Sequence, residues 1–181
     1  MRPVIVLLFT LLSVFSSKAQ SASSEGNVSL NIKLYPIHSL VVNSAQDHRE
    51  VTLEYKTEAD YLNGVSSHKP NHINVYSTGG FEIKVKSSDN ELRSNTLQTI
   101  NSNTVEIRIS NGENAPQDGV LMTQRISSQE STIVTSTLGT FNGNYNVEYK
   151  GMGANEYING FVANQPSTVY NTNLTYIIIP K

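Results

Sequence analysis

Two of the four histidines in this chain, His68 and His72, have a spacing that could do chemistry. On a helix, residues four positions apart share a face, and two imidazoles there could bind zinc. Pro70 lies between them, and serine and asparagine residues flank them, which favours a loop. No third ligand follows nearby. We therefore predict solvated loop histidines and no metal site.

The carboxylates form two loose groups, one at Glu54, Glu58 and Asp60 and one at Asp89 and Glu91. Hydrolysis of a glycosidic bond needs two carboxylates facing each other across a cleft, and nothing in this spacing selects such a pair. The second group lacks the glycine and the spacing of a calcium loop. The chain also has no nucleophile elbow, phosphate loop or dinucleotide fingerprint. The sequence thus predicts no catalytic residues and no cofactor, and we expect a protein that is not an enzyme.

Aromatic side chains offer a third kind of chemistry, because exposed rings can stack on sugars. The chain has nine tyrosines and no tryptophan. The aromatic residues at predicted strand ends or in loops are Tyr35, Tyr61, Tyr76, Tyr157 and Phe161. Tyrosine is amphipathic, so the simpler interpretation places these rings at the rim of the core with the hydroxyl in water. A glycan-stacking surface remains the alternative interpretation.

The elements that must position these side chains are β-strands. Apolar and polar residues alternate with a period of two, as in strands with one buried face, in residues 28–34, 51–56, 81–86, 105–110 and 145–150. Shorter candidates are Leu40–Val42, Ile73–Tyr76, Val120–Met122 and Ile133–Thr135. Gly79-Gly80 indicates a tight hairpin. About nine or ten such strands predict an all-β fold, namely a single antiparallel two-sheet sandwich of the immunoglobulin-like kind, with a closed barrel as the alternative.

The last segment of the chain differs from the other strands. Tyr176, Ile177, Ile178 and Ile179 are apolar on both faces of the predicted strand. Such a strand must be covered or paired, because an exposed one invites aggregation. The simpler interpretation is a central strand of the core, and the other is a strand that a second subunit completes.

The first nineteen residues predict export. Arg2 gives a positive start, an apolar run follows from Val4 to Phe15, and Ser17-Lys18-Ala19 places small side chains at a cleavage site. The run is too short to span a bilayer comfortably, since spanning takes roughly 20 apolar residues. We therefore predict a signal peptide over residues 1–19, a flexible lead-in over residues 20–27 and one β-sandwich domain over residues 28–181.

Composition bounds the partners of the exported chain. The full chain has 13 basic and 15 acidic residues, and loss of Arg2 and Lys18 with the leader leaves 11 against 15, a net charge of −4. This balance favours neither nucleic acid nor an anionic membrane surface. The chain has no cysteine, so no disulfide supports the predicted core. We expect the protein in the periplasm, on the outer surface or outside the cell, with no membrane span after cleavage.

Several stretches together resemble a family of small, uncharacterised exported β-sandwich proteins of Bacteroidetes-type bacteria. They are Asn31–Leu34, Leu40–Asn43, Val51–Tyr55, Tyr76–Phe81, Val85–Ser88 and Thr172–Ile179. More distantly, the layout is similar to fimbrial (pilin-type) subunits, which exchange strands between neighbours. That likeness implies a donor strand at Val28, Leu30, Ile32 and Leu34, and a terminal strand at Tyr176–Ile179 that awaits cover.

These observations lead to two expectations about function. The first is a non-catalytic surface subunit, structural or adhesive, that pairs with itself or another subunit by strand addition across a sheet edge. The second is a binding module for glycans or cell wall, which the loop tyrosines suggest. The chain has no net positive charge, which argues against a nucleic-acid binder, and no catalytic motif, which argues against an enzyme.

Overall fold

The computed structural model describes residues 24–181, and these form an all-β protein with antiparallel sheets. The twelve strands in this part of the chain are β1 (His38–Val42), β2 (Ser66–Ser77), β3 (Phe81–Ser87), β4 (Glu91–Ser94), β5 (Thr99–Asn101), β6 (Val105–Asn111), β7 (Val120–Leu121), β8 (Gln124–Arg125), β9 (Ser131–Ser136), β10 (Thr140–Gly151), β11 (Tyr170–Asn171) and β12 (Leu174–Pro180). Two short helices, α1 (Gln46–Arg49) and α2 (Glu58–Asn63), and a 3₁₀ turn at Ser102–Thr104 complete the elements. The all-β prediction is thereby confirmed.

The strands form three sheets. The five-stranded sheet has the order β1-β2-β10-β6-β8, and the four-stranded sheet has the order β12-β3-β9-β7. A small third sheet, β11-β4-β5, was not predicted. The strand count exceeds the predicted nine or ten partly because β7, β8 and β11 have only two residues each.

One apolar cluster receives side chains from both larger sheets. The fully buried members include Ile73 and Tyr145 from the five-stranded sheet and Phe81, Ile83 and Ile133 from the four-stranded sheet. The alternation explains this arrangement, because successive side chains of a strand point to opposite faces. In β3 the burial alternates from Phe81 to Ser87 without a break.

The period-two pattern correctly predicts strands at β1, β2, β3, β6, β7, β9, β10 and β12. It is wrong at Val51–Tyr55, which forms no strand. There Val51 and Leu53 still pack against the core, and the Tyr55 hydroxyl donates a hydrogen bond of 2.8 Å to the Met152 carbonyl. Alternating burial thus occurs in an extended segment that is not part of a sheet ladder.

The prediction of a half-buried strand at Val28–Leu34 is also wrong. Residues 24–37 carry no helix or strand assignment. Val28, Leu30, Ile32 and Leu34 are 91%, 87%, 80% and 85% exposed, respectively. The chain divides into two compact units between Leu34 and Tyr35, so these residues belong to the first unit.

Gly79-Gly80 does not form the predicted hairpin. It connects β2 of the five-stranded sheet to β3 of the four-stranded sheet, and these two strands do not pair. A side chain at Gly80 would come within 3.0 Å of the Ser136 carbonyl oxygen and 3.1 Å of that of Thr137. The glycine therefore allows a close approach of two backbones where the chain changes sheets.

His68 and His72 lie in β2 and not in the predicted loop. The β2–β10 register shifts between the pairs Tyr145–Ile73 and Val147–Lys69, and Asn71 has φ = 47° at this bulge. A bulge re-aims side chains, and here it buries His72 and Ile73 in succession. Pro70, which indicated a loop, sits in this irregular stretch, as proline in sheets commonly does.

The predicted signal peptide lies outside the described residues. Within residues 24–181, no helix is long and apolar enough to cross a membrane.

Candidate functional site

The strand β12 forms one edge of the four-stranded sheet. It pairs with β3 along its whole length, from Leu174 opposite Ser87 to Pro180 opposite Phe81. The interpretation of this segment as a central strand is therefore wrong for the described residues. With seven residues, β12 is longer than β1, β7 and β8, the other edge strands of the two larger sheets.

Both faces of β12 carry apolar side chains. Tyr176 and Ile178 pack against the core cluster, while Ile177 and Ile179 lie on the opposite face, across from Lys84 and Glu82 of β3. All four are only partly buried. A fully covered strand of this composition would be buried on both faces. β12 has a ladder partner on one side only, and β1 of the five-stranded sheet packs close to it. The edge thus combines one side without a ladder with partly buried apolar side chains that a further strand would cover.

A chain of polar groups lies beneath this edge. The Tyr176 hydroxyl is 2.5 Å from the Tyr149 hydroxyl, which is 2.9 Å from Nε2 of His72. Nδ1 of His72 is in turn 3.1 Å from Nδ1 of His48 on α1. The stacked imidazoles have centroids 5.3 Å apart. These contacts, which we call the His–Tyr chain, connect α1, β2, β10 and β12.

Burial shifts the pKa of His72, Tyr149 and Tyr176 in the His–Tyr chain. It lowers the pKa of His72 to about 4, and the neighbouring His48 and Lys69 act in the same direction. Burial also raises the pKa of Tyr149 to about 12 and that of Tyr176 well above its ordinary value. At neutral pH the phenols and His72 are therefore uncharged and hydrogen-bonded, as buried polar groups must be.

The structure does not unite the predicted aromatic residues in one platform. Tyr61 and Tyr157 both contact Tyr55, with ring centroids 5.4 and 4.9 Å away. Tyr76 instead meets Phe141 edge-on at 5.8 Å. Tyr35 and Phe161 are exposed elsewhere, at 63% and 56%.

Phe141 is the aromatic residue that the sequence analysis missed. It is 85% exposed in β10, and with Tyr76 it lines a shallow depression together with Ser77, Thr78 and Thr140. Asn74 bonds to the side chains of Asn142 and Asn144 alongside. Phe141 is in phase with Tyr145 and Val147, so the period-two pattern alone predicts that it faces the core. It is exposed at a place where the β2–β10 register shifts, between Thr140 and Gly143, and no signal in the sequence indicates this shift.

Four of the five carboxylates in the two predicted groups, Glu54, Asp60, Asp89 and Glu91, have local partners. Asp60 accepts hydrogen bonds from the backbone amides of Lys56 and Thr57 at the start of α2, and these bonds lower its pKa. Glu54 pairs with Lys56. Arg93 binds both Asp89 and Glu91, at 2.8 and 3.2 Å. These contacts are typical of capping and surface ion pairs.

His68 and His72, whose spacing raised the question of a zinc site, do not contact each other, and the burial of His72 contradicts the prediction of two solvated loop histidines. His68 is exposed, and His72 meets His48, a residue 24 positions earlier. Among residues 24–181, no cluster of three or more histidine, cysteine or acidic residues could hold a metal ion.

No protein-family model matches the chain, and no curated protein matches it significantly.

Proposed function

We propose that this protein is a non-catalytic surface subunit that assembles by strand addition. In this proposal, residues 28–34 of one copy act as a donor strand and β12 of another copy is the acceptor edge. The observation that carries the proposal is the exposure of the donor residues. Residues 28–34 have the alternating pattern of a strand, yet the four apolar side chains, those of Val28, Leu30, Ile32 and Leu34, are 80–91% exposed. Exposed apolar residues grouped in this way mark interaction sites.

The acceptor edge supports the proposal by its length and composition. β12 has seven residues, as has Val28–Leu34, and seven residues of strand span roughly 23 Å. Added strands gain affinity from backbone hydrogen bonds and specificity from alternate side chains. The part-buried Ile177, Ile178 and Ile179 would gain cover from the leucine and isoleucine side chains of a donor.

The same proposal includes the finer architecture and the location. The two larger sheets are the layers of an immunoglobulin-like sandwich, and β12 is its incomplete edge, as in the pilin-type subunits that the sequence resembles. A signal peptide over residues 1–19 directs export, and its cleavage after Ala19 leaves Gln20 as the first residue of the mature protein. Intact-mass measurement of the exported protein tests this step, and a product that retains Met1 would contradict it.

The central experiment compares two double variants of the whole protein. Leu30→Asp with Ile32→Asp places charges on the apolar face of the donor, whereas Ser29→Asp with Asn31→Asp places the same charges on its polar face. Sedimentation velocity should show loss of assemblies for the first variant and retention for the second. The added charge is identical, so only the face differs.

A donor peptide separates a lost donor strand from a misfolded domain. The variant with Leu30→Asp and Ile32→Asp keeps its acceptor edge, so it should still bind a synthetic peptide of residues 27–35 of the natural sequence. Hydrogen exchange should then show new protection at β12. A wild-type protein that stays monomeric at high concentration and does not bind the peptide would refute strand addition.

A second candidate function is glycan binding, which the Tyr76–Phe141 pair favours. Its exposed ring, the neighbouring hydroxyls and the amides of Asn74 and Asn142 are the groups that bind neutral sugars by stacking and hydrogen bonding. A glycan array read with wild type and Phe141→Ala tests it. Binding that Phe141→Ala abolishes supports this function, and an array without any signal removes it.

A further inference from the structure

A cationic cleft lies at the other end of β10 from Phe141. Its volume is about 330 Å³, and its lining includes Arg108 of β6, Arg125 of β8 and Lys150 of β10. Glu106 is the only carboxylate in this lining, and Glu148, outside the lining, lies 3.9 Å from Arg108. Three cationic residues against these two carboxylates leave the cleft with a net positive charge. The sequence as a whole has a net charge of −2. The cleft is therefore a local positive site on an acidic protein.

Strand register explains how the charges come together. Glu106 lies opposite Arg125 on one side and Lys150 on the other, so three neighbouring strands present alternating charge. The carboxylate of Glu106 binds Arg108 at 2.6 Å. Within the described residues, the side chain of Arg125 donates hydrogen bonds only to the Asn103 carbonyl oxygen and the Met152 sulfur. Arg125 thus keeps most of its five donors for a ligand.

The other lining residues indicate what kind of anion fits. Leu62, Met152 and Ala154 provide apolar surface, and the amides of Asn63 and Asn103 provide both donors and acceptors. A hydroxyl group also donates and accepts, so these amides suit a polyol better than a simple inorganic anion. Pockets of about 300 Å³ and above are large enough for small ligands.

We propose that this cleft binds the carboxylate of an acidic sugar, such as a uronic acid unit in a polysaccharide. Arg125 and Lys150 pair with the carboxylate, Asn63 and Asn103 bind ring hydroxyls, and the apolar residues contact the ring. The site is independent of strand addition, because its residues lie on α2, the 3₁₀ turn, β6, β8, β10 and the segment after β10, and β12 takes no part in it. It is also separate from the Tyr76–Phe141 pair.

Isothermal titration of the purified protein with oligogalacturonate tests the site. The fully methyl-esterified oligomer serves as the neutral ligand control. Arg125→Ala with Lys150→Ala should weaken binding of the acidic oligomer by at least about tenfold, as expected for losing charge-assisted hydrogen bonds. The matched control is Arg49→Ala with Lys84→Ala, which removes the same charges outside the cleft and should leave the affinity within about twofold.

Several outcomes would overturn the proposal. They are no binding at millimolar oligomer, equal binding of the methyl ester, and equal loss in the control variant. Polyglutamate serves as an acidic ligand without sugar hydroxyls. If it binds as tightly as oligogalacturonate, the cleft recognises charge alone and the assignment to acidic sugars is wrong. Phe141→Ala should leave binding of the acidic oligomer unchanged, which separates this site from the neutral-glycan candidate.

Discussion

The hydroxyls of Tyr149 and Tyr176 lie 2.5 Å apart and join β10 of the five-stranded sheet to the edge strand β12 of the four-stranded sheet. Tyr149 also reaches His72 at 2.9 Å. The edge strand is thus held by a partly buried polar contact in addition to its ladder with β3. A partly satisfied network of this kind is costly, whereas a complete one specifies a single arrangement.

Tyr149→Phe should lower the free energy of unfolding by about 2 kcal/mol, because it leaves Nε2 of His72 and the Tyr176 hydroxyl without their shared partner. Urea unfolding monitored by fluorescence or circular dichroism measures the change. Hydrogen exchange should also become faster in β12 than in β6, since the lost contact holds β12.

Tyr145→Phe is the matched control for that variant. Tyr145 lies in the same strand and is fully buried, but its hydroxyl has no hydrogen-bond partner among the described residues. Removing an unsatisfied buried hydroxyl should leave stability unchanged or raise it by about 0.5 kcal/mol. If both variants lose the same stability, the His–Tyr chain does not contribute beyond tyrosine packing.

His72 should make the protein less stable in acid. The unfolded chain has the ordinary pKa of 6.5 at this residue, while the folded protein takes up the proton only near pH 4. Below pH 6.5 the unfolded state therefore binds more protons, and the free energy of unfolding falls by up to about 1.4 kcal/mol per pH unit until about pH 4. Urea unfolding from pH 7 to pH 4 measures this slope.

Two variants assign the slope to the buried histidine. His72→Gln cannot titrate, so its stability should depend less on pH in this window than that of the wild type, whatever its stability at pH 7. His68→Gln alters an exposed histidine of the same strand and should keep the wild-type slope. An unchanged slope in His72→Gln would mean that other groups cause the acid sensitivity.

Asp118 should stabilise the turn after β9. Its carboxylate accepts hydrogen bonds from the Thr137 hydroxyl, the Ser136 hydroxyl and the amides of Thr137 and Leu138, at 2.6 to 3.2 Å. The side-chain bonds of Thr137 and then Ser136 lower its pKa to about 2. A lowered carboxyl pKa adds stability above pH 3.8 that is lost as pH falls toward 2.

Asp118→Asn should therefore reduce the melting temperature at pH 7, and the difference from wild type should shrink between pH 3.8 and 2. Differential scanning calorimetry across this range is the measurement. A difference that stays constant with pH would show that the turn depends on shape and not on the charge of the carboxylate.

The sequence predicts strands well but not their partners. Alternation at residues 28–34 is as regular as in β3, yet only β3 lies in a sheet. A period of two indicates that one face of a strand is apolar, but it does not identify the element that packs against that face. The His48–His72 contact could not be predicted from the sequence for another reason. It joins residues 24 positions apart, and it depends on the bulge at Asn71. Residue types alone do not encode such a register shift.

The apolar outer face of β12 gives the last prediction. Ile177→Lys with Ile179→Lys should lower the affinity for the donor peptide by at least about tenfold, since charged side chains on an edge strand oppose strand addition. Both positions are only partly buried in the described chain, so the free energy of unfolding should change by about 1 kcal/mol or less. Peptide titration and urea unfolding together separate the two effects.

Thr175→Lys is the control for this double variant, because Thr175 is exposed on the same face of β12 and is already polar. It adds a charge without removing apolar surface, so peptide affinity should fall less than in the isoleucine variant. Equal losses would mean that charge alone governs the edge. A double variant that binds the peptide normally would mean that the donor strand pairs at a site other than β12.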